Sequence, residues 1–184
     1  DLRDDQRVTA RVFLELALQI NPRDIEAWLL LIELARESGQ TDVHKGALQK
    51  YLGLVPGDDV ARLKFIHLLL EELPTLEARI EKIHEIVASP AGGELSVPLR
   101  SRLASYCAHG AREMADESAV KRYLGEALKL DKTNFDAAQM LYELVAGRNS
   151  TPLERGLALI WCIRAQPLAV EPRRLLASLL LEEG

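Results

Sequence analysis

The chain has 184 residues, 48% of them apolar and 28% charged, with a formal net charge of -5. That much apolar surface supports a sizeable core, and the acidic balance gives little attraction toward phosphate backbones or anionic lipid, so neither nucleic acid nor a membrane surface is expected as a partner. The longest apolar run, around "WLLLIELA", falls far short of the roughly 18 residues that cross a bilayer, so no direct membrane insertion is expected either.

From the N-terminus onward the apolar residues recur at steps of three and four, the period of a helix packed on one face. The chain opens on "DLRDDQRVTA", without an initiator Met or a signal-peptide core, which reads as an excised or processed segment and leaves its compartment open. Helices are predicted over 7–20, 24–38, 41–54, 58–73, 75–88, 97–113, 117–130, 134–147, 151–165 and 169–183. Between them stand Asn21-Pro22, Ser38-Gly39, Pro56-Gly57-Asp58, Pro74-Thr75, Ser89-Pro90, Asp131-Lys132 and Gln166-Pro167, which are ordinary stop and start signals. Only the stretch 89–96, "SPAGGELS", is a longer loop.

The breaks keep a period. Pro22 to Pro56 and Pro56 to Pro90 are each 34 residues, and Lys132 to Pro167 is 35, the spacing of stacked helical hairpins. Counting back from these marks, Leu14, Leu48, Leu124 and Leu159 fall on one core position, and Ala17, Tyr51, Ala127 and Cys162 on another. Lys82 and Glu85 break the phase in the hairpin that ends at Pro90. Nine residues after Pro22, Pro56 and Lys132 come Leu31, Phe65 and Leu141, expected to point inward.

The segments "IEAWLLLIELARESGQ", "VTARVFLELALQINP" and "VKRYLGEALKLDK" resemble the tetratricopeptide repeat (TPR) family. The features that carry the likeness are Trp28 near the start of a first helix, Gly39 and Gly184 at turn positions, small residues at Ala10, Ala17, Ala108 and Ala127, and closing prolines at Pro22, Pro56 and Pro167. The resemblance implies an all-α fold, a right-handed α-α superhelix of about four to five hairpins in a single repeat domain over 1–184. The hairpins would be 23–56, 57–90, 97–132 and 133–167, with a lone second helix in 1–22 and a lone first helix in 168–184. Departures from the pattern are His44 and Arg155 at places for small residues, Arg62 and Ala138 in place of the aromatic, and the insertion "AGGELSVP".

No phosphate-binding loop, dinucleotide motif, zincin motif or nucleophile elbow occurs, so no enzyme activity, catalytic residue, metal or cofactor is expected. Cys107 and His109 are two apart on a helix and point in different directions, and Cys107 is read as a core residue. The sequon at Asn149 is read as a polar turn. The acid pairs in "EEL" and "LEEG" are read as surface residues at helix ends.

The resemblance implies that partners dock on the first helices of the hairpins, four, seven, eleven and fourteen residues past each closing mark. The partner-binding candidates are Leu29, Glu33 and Arg36 on one helix, Leu63, His67 and Leu70 on the next, Arg102, Ser105, His109 and Arg112 on the third, and Gln139 and Glu143 on the fourth. Leu29, Leu63 and Leu70 form an apolar strip, whereas Arg102, His109 and Arg112 lie along one helical face as a seat for a carboxylate or phosphopeptide. The paired Lys and Asn of the family's carboxylate clamp are missing. The expected function is therefore a protein- or peptide-binding module within a longer scaffold or assembly protein. A purely structural segment is the alternative, and a helical-repeat RNA reader is disfavoured by the acidic balance. Some of Leu175, Leu176, Leu179 and Leu180 on the last helix are expected to be covered by another molecule or by a missing helix, a homo-oligomer through the terminal helices being one such arrangement.

Overall fold

The structure, a computed structural model, describes residues 2–89, 95–146 and 150–183. Ten α-helices follow one another, with no strand among the described residues: α1 (Leu2–Ile20), α2 (Ile25–Glu37), α3 (Thr41–Leu54), α4 (Asp59–Glu71), α5 (Leu76–Ala88), α6 (Val97–Glu113), α7 (Glu117–Leu130), α8 (Phe135–Ala146), α9 (Pro152–Ala165) and α10 (Val170–Glu183). Nine of them match the sequence-derived spans to within two residues at either end. The exception is α1, which starts at Leu2 rather than at residue 7. Residues 90–94, Asn149 and Gly184 lie outside the described residues, and with them the Pro90 mark, most of the 89–96 loop, the sequon and the second turn glycine.

The chain divides into two compact units, Asp1–Pro74 and Thr75–Gly184, and the division falls inside the expected 57–90 hairpin. In the first unit α2 packs most extensively on α3; in the second, α6 pairs with α7 and α8 with α9. The core of the first unit gathers Leu18, Ala27, Leu31, Ile32, Ala47, Leu48, Tyr51 and Ala61, with Leu14, Trp28 and Phe65 packed against it. In the second unit Leu99, Leu103, Cys107, Ala108, Leu124, Ala127, Ala137 and Leu159 are buried. Leu48, Leu124 and Leu159 thus occupy the equivalent core places that the period assigns them. Burial pushes the Cys107 thiol up to about 12, with Glu126 adding to the shift, so the thiol stays protonated and serves as packing.

The turns show why the chain breaks where it does. Asp24 caps α2 by accepting from Ala27 N (3.0 Å), and Asp58 caps α4 by accepting from Val60 N and Ala61 N (3.0 and 2.9 Å). Across each of these loops a side chain six residues past the proline ties down its carbonyl: Trp28 Nε1 donates to Pro22 O (2.9 Å) and Arg62 Nη2 to Pro56 O (2.6 Å). Arg62 therefore performs the bond of the aromatic it replaces.

The hairpin turns α2–α3 and α6–α7 have the same bond pattern. Gln40 N reaches Ala35 O (2.9 Å) and Gly39 N reaches Arg36 O (3.2 Å); Asp116 N reaches Ala111 O (2.9 Å) and Ala115 N reaches Arg112 O (3.0 Å). Both are Schellman closures, which need a left-handed residue after the cap. Gly39 supplies it at φ 65°, and Ala115 adopts it at φ 58° despite its Cβ.

Three departures from the repeat pattern leave buried nitrogens without a partner. His44 is buried with Nε2 unbonded, and Arg62 and Arg155 are half-buried with Nε unbonded. Gly110 allows close approach: a Cβ there would stand 3.2 Å from Ile80 Cδ1 of α5, and that side chain would have to give by a few tenths of an ångström. On α10 the open apolar face is narrower than expected: Leu179 is buried, Leu175 and Leu176 are partly covered, and of the four leucines only Leu180 is exposed. Leu176 and Leu179 turn toward Gly156 of α9 and are used within the unit.

Candidate partner-binding surface

In the first unit, the candidate positions on α2 and α4 divide by exposure. Leu29 is exposed, and Glu33 and Arg36 are exposed and bonded to each other one turn apart. The Arg36 hydrogen bond holds the Glu33 carboxyl below its ordinary range. His67 is exposed, and Leu63 is half-buried. Leu70 is 2% exposed and belongs to the core, which removes it from the apolar strip. The run Leu68-Leu69-Leu70 presents an apolar side chain in every direction at the end of α4, so helical spacing alone does not mark which one turns in. The surface left on this unit is Leu29 and Leu63, flanked by an internally neutralised Glu33–Arg36 pair.

In the second unit, Arg102, His109 and Arg112 of α6 and Gln139 and Glu143 of α8 are exposed. The two first helices meet along this face through polar pairs. His109 Nε2 lies 3.2 Å from Asp136 Oδ2, and Arg112 Nη1 lies 3.1 Å from Glu143 Oε2. Gln139 Nε2 donates to Glu143 Oε1 (3.2 Å), which orients the carboxylate toward α6. The basic seat expected from the sequence is thus charge-compensated: each of His109 and Arg112 already faces a carboxylate from the next first helix. Such exposed pairs contribute at most about 1 kcal/mol each, so they organise the face more than they stabilise it.

Ser105 does not reach this face. It is buried, and its Oγ accepts from Asn134 Nδ2 (2.9 Å). Asn134 also donates to Ser101 Oγ (2.8 Å) and caps α8 by accepting from Ala137 N (3.1 Å). Ser101 Oγ in turn donates to Ala127 O of α7 (2.8 Å). The small residues of α6, Ser101, Ala104, Ser105 and Ala108, let the neighbouring helices close over a side that would otherwise be surface. The sequence signal for this network is Asn134 standing where Asp24 and Asp58 cap the earlier helices.

A cleft of about 140 Å³ in the second unit is lined by Ile83, His84, Leu103, Cys107, Tyr123 and Glu126, among others. Its walls are mostly apolar, with the His84 and Tyr123 rings 5.6 Å apart at one side. Among the described residues no group of three or more His, Cys, Asp or Glu is placed to hold a metal ion, and no helix is long and apolar enough to cross a membrane.

With ten helices, no strand, and α2–α3, α6–α7 and α8–α9 paired among the described residues, the fold is a TPR-like, all-α array of helical hairpins. It is similar to PilW, a widely conserved type IV pilus biogenesis factor, at 14% identity over 93% of this chain and 76% of PilW, with a TM-score of 0.52. Weaker likenesses are to MamA, at 17% identity over 85% of this chain and 86% of that one with a TM-score of 0.48, and to a thermophilic TPR protein of Thermus thermophilus, at 17% identity over 98% and 93% with a TM-score of 0.47. No family model matches the sequence, nor does any curated protein. At these identities the likeness concerns the fold.

Proposed function

We propose that the chain is a protein-interaction module that receives a peptide or protein partner on the exposed faces of its first helices, α2 and α4 in one unit and α6 and α8 in the other. The observation that supports this most is the ladder His109–Asp136 and Arg112–Glu143, which joins two successive first helices into one exposed polar face. A face of this kind favours a partner carrying charges of both signs, because His109 and Arg112 each stand beside a carboxylate. On the first unit the partner would bury Leu29 and Leu63. The seat for a purely acidic peptide gives way to this mixed reading.

The test uses peptides selected from a random display library on the intact chain. Their binding is then measured to Leu29→Asp and to the double variant Arg102→Glu and Arg112→Glu, both at exposed sites where stability changes little. Loss of binding in at least one variant, with an unchanged helical signal and unfolding midpoint, supports the proposal. Ligands that bind both variants as tightly as the original chain place the working surface elsewhere.

A further inference from the structure

The cleft of about 140 Å³ in the second unit lies in the middle of the chain, walled by three consecutive helices, α5, α6 and α7. Leu103 and Cys107 of α6 are buried at its floor, and Ile83 and Val87 of α5 and Leu130 of α7 add apolar wall. An apolar cavity of about 150 Å³ takes one benzene, so the space suits a body of phenyl size. The His84 and Tyr123 rings at one side offer aromatic faces to such a body.

Two charged side chains also line the cleft, Arg100 and Glu126, and among the described residues neither makes a hydrogen bond or an ion pair within the chain. Arg100 is half-buried, and its Nε is shielded from solvent without a partner. A guanidinium held this way costs free energy until an acceptor reaches it. Arg100 and Glu126 sit on adjoining turns: Ser101 Oγ donates to Ala127 O (2.8 Å), and each of the two residues immediately precedes one end of that bond. Glu126 is exposed, and its charge reaches the floor of the cleft, where it adds to the upward shift of the Cys107 thiol. The cleft therefore carries one unpaired cation and one unpaired anion beside an apolar interior.

We infer that this cleft is a binding site for a free α-amino acid with an apolar side chain of phenyl size. The side chain enters among Ile83, Val87, Leu103 and Leu130, the α-carboxylate pairs with Arg100, and the α-ammonium pairs with Glu126. A ligand carrying only an anion would meet Arg100 but stand against Glu126, and one carrying only a cation would do the reverse. A zwitterion satisfies both. Its carboxylate gives the shielded Nε the acceptor it lacks, in the two-bond geometry that a guanidinium favours. None of these residues is among the peptide-receiving positions Arg102, His109 and Arg112 of α6, so the inference goes beyond the proposed function and stands apart from it.

The experiment is a titration of the intact chain, followed by amide chemical shifts, with L-phenylalanine, with hydrocinnamate, which lacks the ammonium, and with phenethylamine, which lacks the carboxylate. Phenylalanine should saturate a single site, with shifts centred on Leu103, Cys107 and Tyr123, and each analogue should bind at least about tenfold more weakly. Arg100→Gln and Glu126→Gln should each weaken phenylalanine by a similar factor without lowering the unfolding midpoint. Glu126→Gln should at the same time strengthen hydrocinnamate, a reversal that loss of structure does not produce. Absence of saturable phenylalanine binding overturns the inference. So does either analogue binding as tightly as phenylalanine, and so do two variants that bind phenylalanine as the original chain does.

Discussion

Asn134 is a position where repeat pattern and structure disagree. Asp24 and Asp58 hold the corresponding N-caps, and Asp caps as well as Asn, so pattern alone makes Asn134→Asp neutral or slightly favourable, with a helix-dipole gain of about 0.3–1 kcal/mol. In the structure the Asn134 amide donates to two serine oxygens, at 2.8 and 2.9 Å. Neither hydroxyl is free to donate back: Ser101 Oγ already donates to Ala127 O (2.8 Å) and Ser105 Oγ to Ser101 O (3.3 Å). A carboxylate would lose two bonds worth about 1 kcal/mol each and set an acceptor against two acceptors in a buried site, at a further cost of roughly 1–3 kcal/mol. The losses exceed the dipole gain, and the expected net destabilisation is about 2–4 kcal/mol. Urea unfolding followed by helical circular dichroism measures it, and the deficit should shrink in acid, where a protonated Asp regains one donor. An Asn134→Asp variant as stable at neutral pH as the original chain would refute the reasoning.

The two Schellman turns give a paired expectation. Ala115→Gly should stabilise by about 0.5–1 kcal/mol, because removing a left-handed Cβ recovers roughly 1–2 kcal/mol while glycine's extra chain entropy costs about 0.5–1 kcal/mol. Gly39→Ala should destabilise by a similar amount, although no atom lies within 4 Å of the new Cβ, so the effect there isolates the backbone; denaturation midpoints of both variants check the pair. His44 should make stability depend on pH. Burial, followed by the charges of Lys64 and Arg36, lowers its pKa below the ordinary 6.5, so the folded state holds the neutral ring while the unfolded chain takes up a proton as pH falls through about 6.5. The contribution is complete above that pH and is lost progressively below it, and thermal melts of His44→Leu should show a flatter acid limb than the original chain.

Helix existence, helix ends and the main core positions could be read from the sequence because Pro22, Asp24, Pro56, Asp58 and Gly39 act locally, and a local cause is visible in a local pattern. Arg62 was harder. Its type breaks the pattern, but its reach to Pro56 O preserves the bond, and only coordinates show that an arginine and an indole can meet the same carbonyl. The turn at Ala115 gives no sequence signal, since alanine is a good helix former and its left-handed φ is imposed by the helices on either side. Within the candidate surface, exposure followed the count for Leu29, Arg36, His109 and Arg112. It failed at Leu70, where three successive leucines compete for one inward position, and at Ser105, where a small residue lets a neighbour approach. The pairing of His109 with Asp136 and of Arg112 with Glu143 depends on how α6 meets α8, and that is a tertiary fact.

The placement of the two tryptophans has a spectroscopic consequence. Trp28, tied to Pro22 O, belongs to the unit Asp1–Pro74, and Trp161, with the Arg164 guanidinium 5.5 Å above its ring, belongs to the unit Thr75–Gly184. Each unit therefore contains its own intrinsic fluorophore. Trp161→Phe leaves emission that follows only the first unit, and Trp28→Phe leaves emission that follows only the second. Two melting curves recorded this way, superimposed or offset, read the cooperativity between the units directly, with no dye attached and no cysteine introduced.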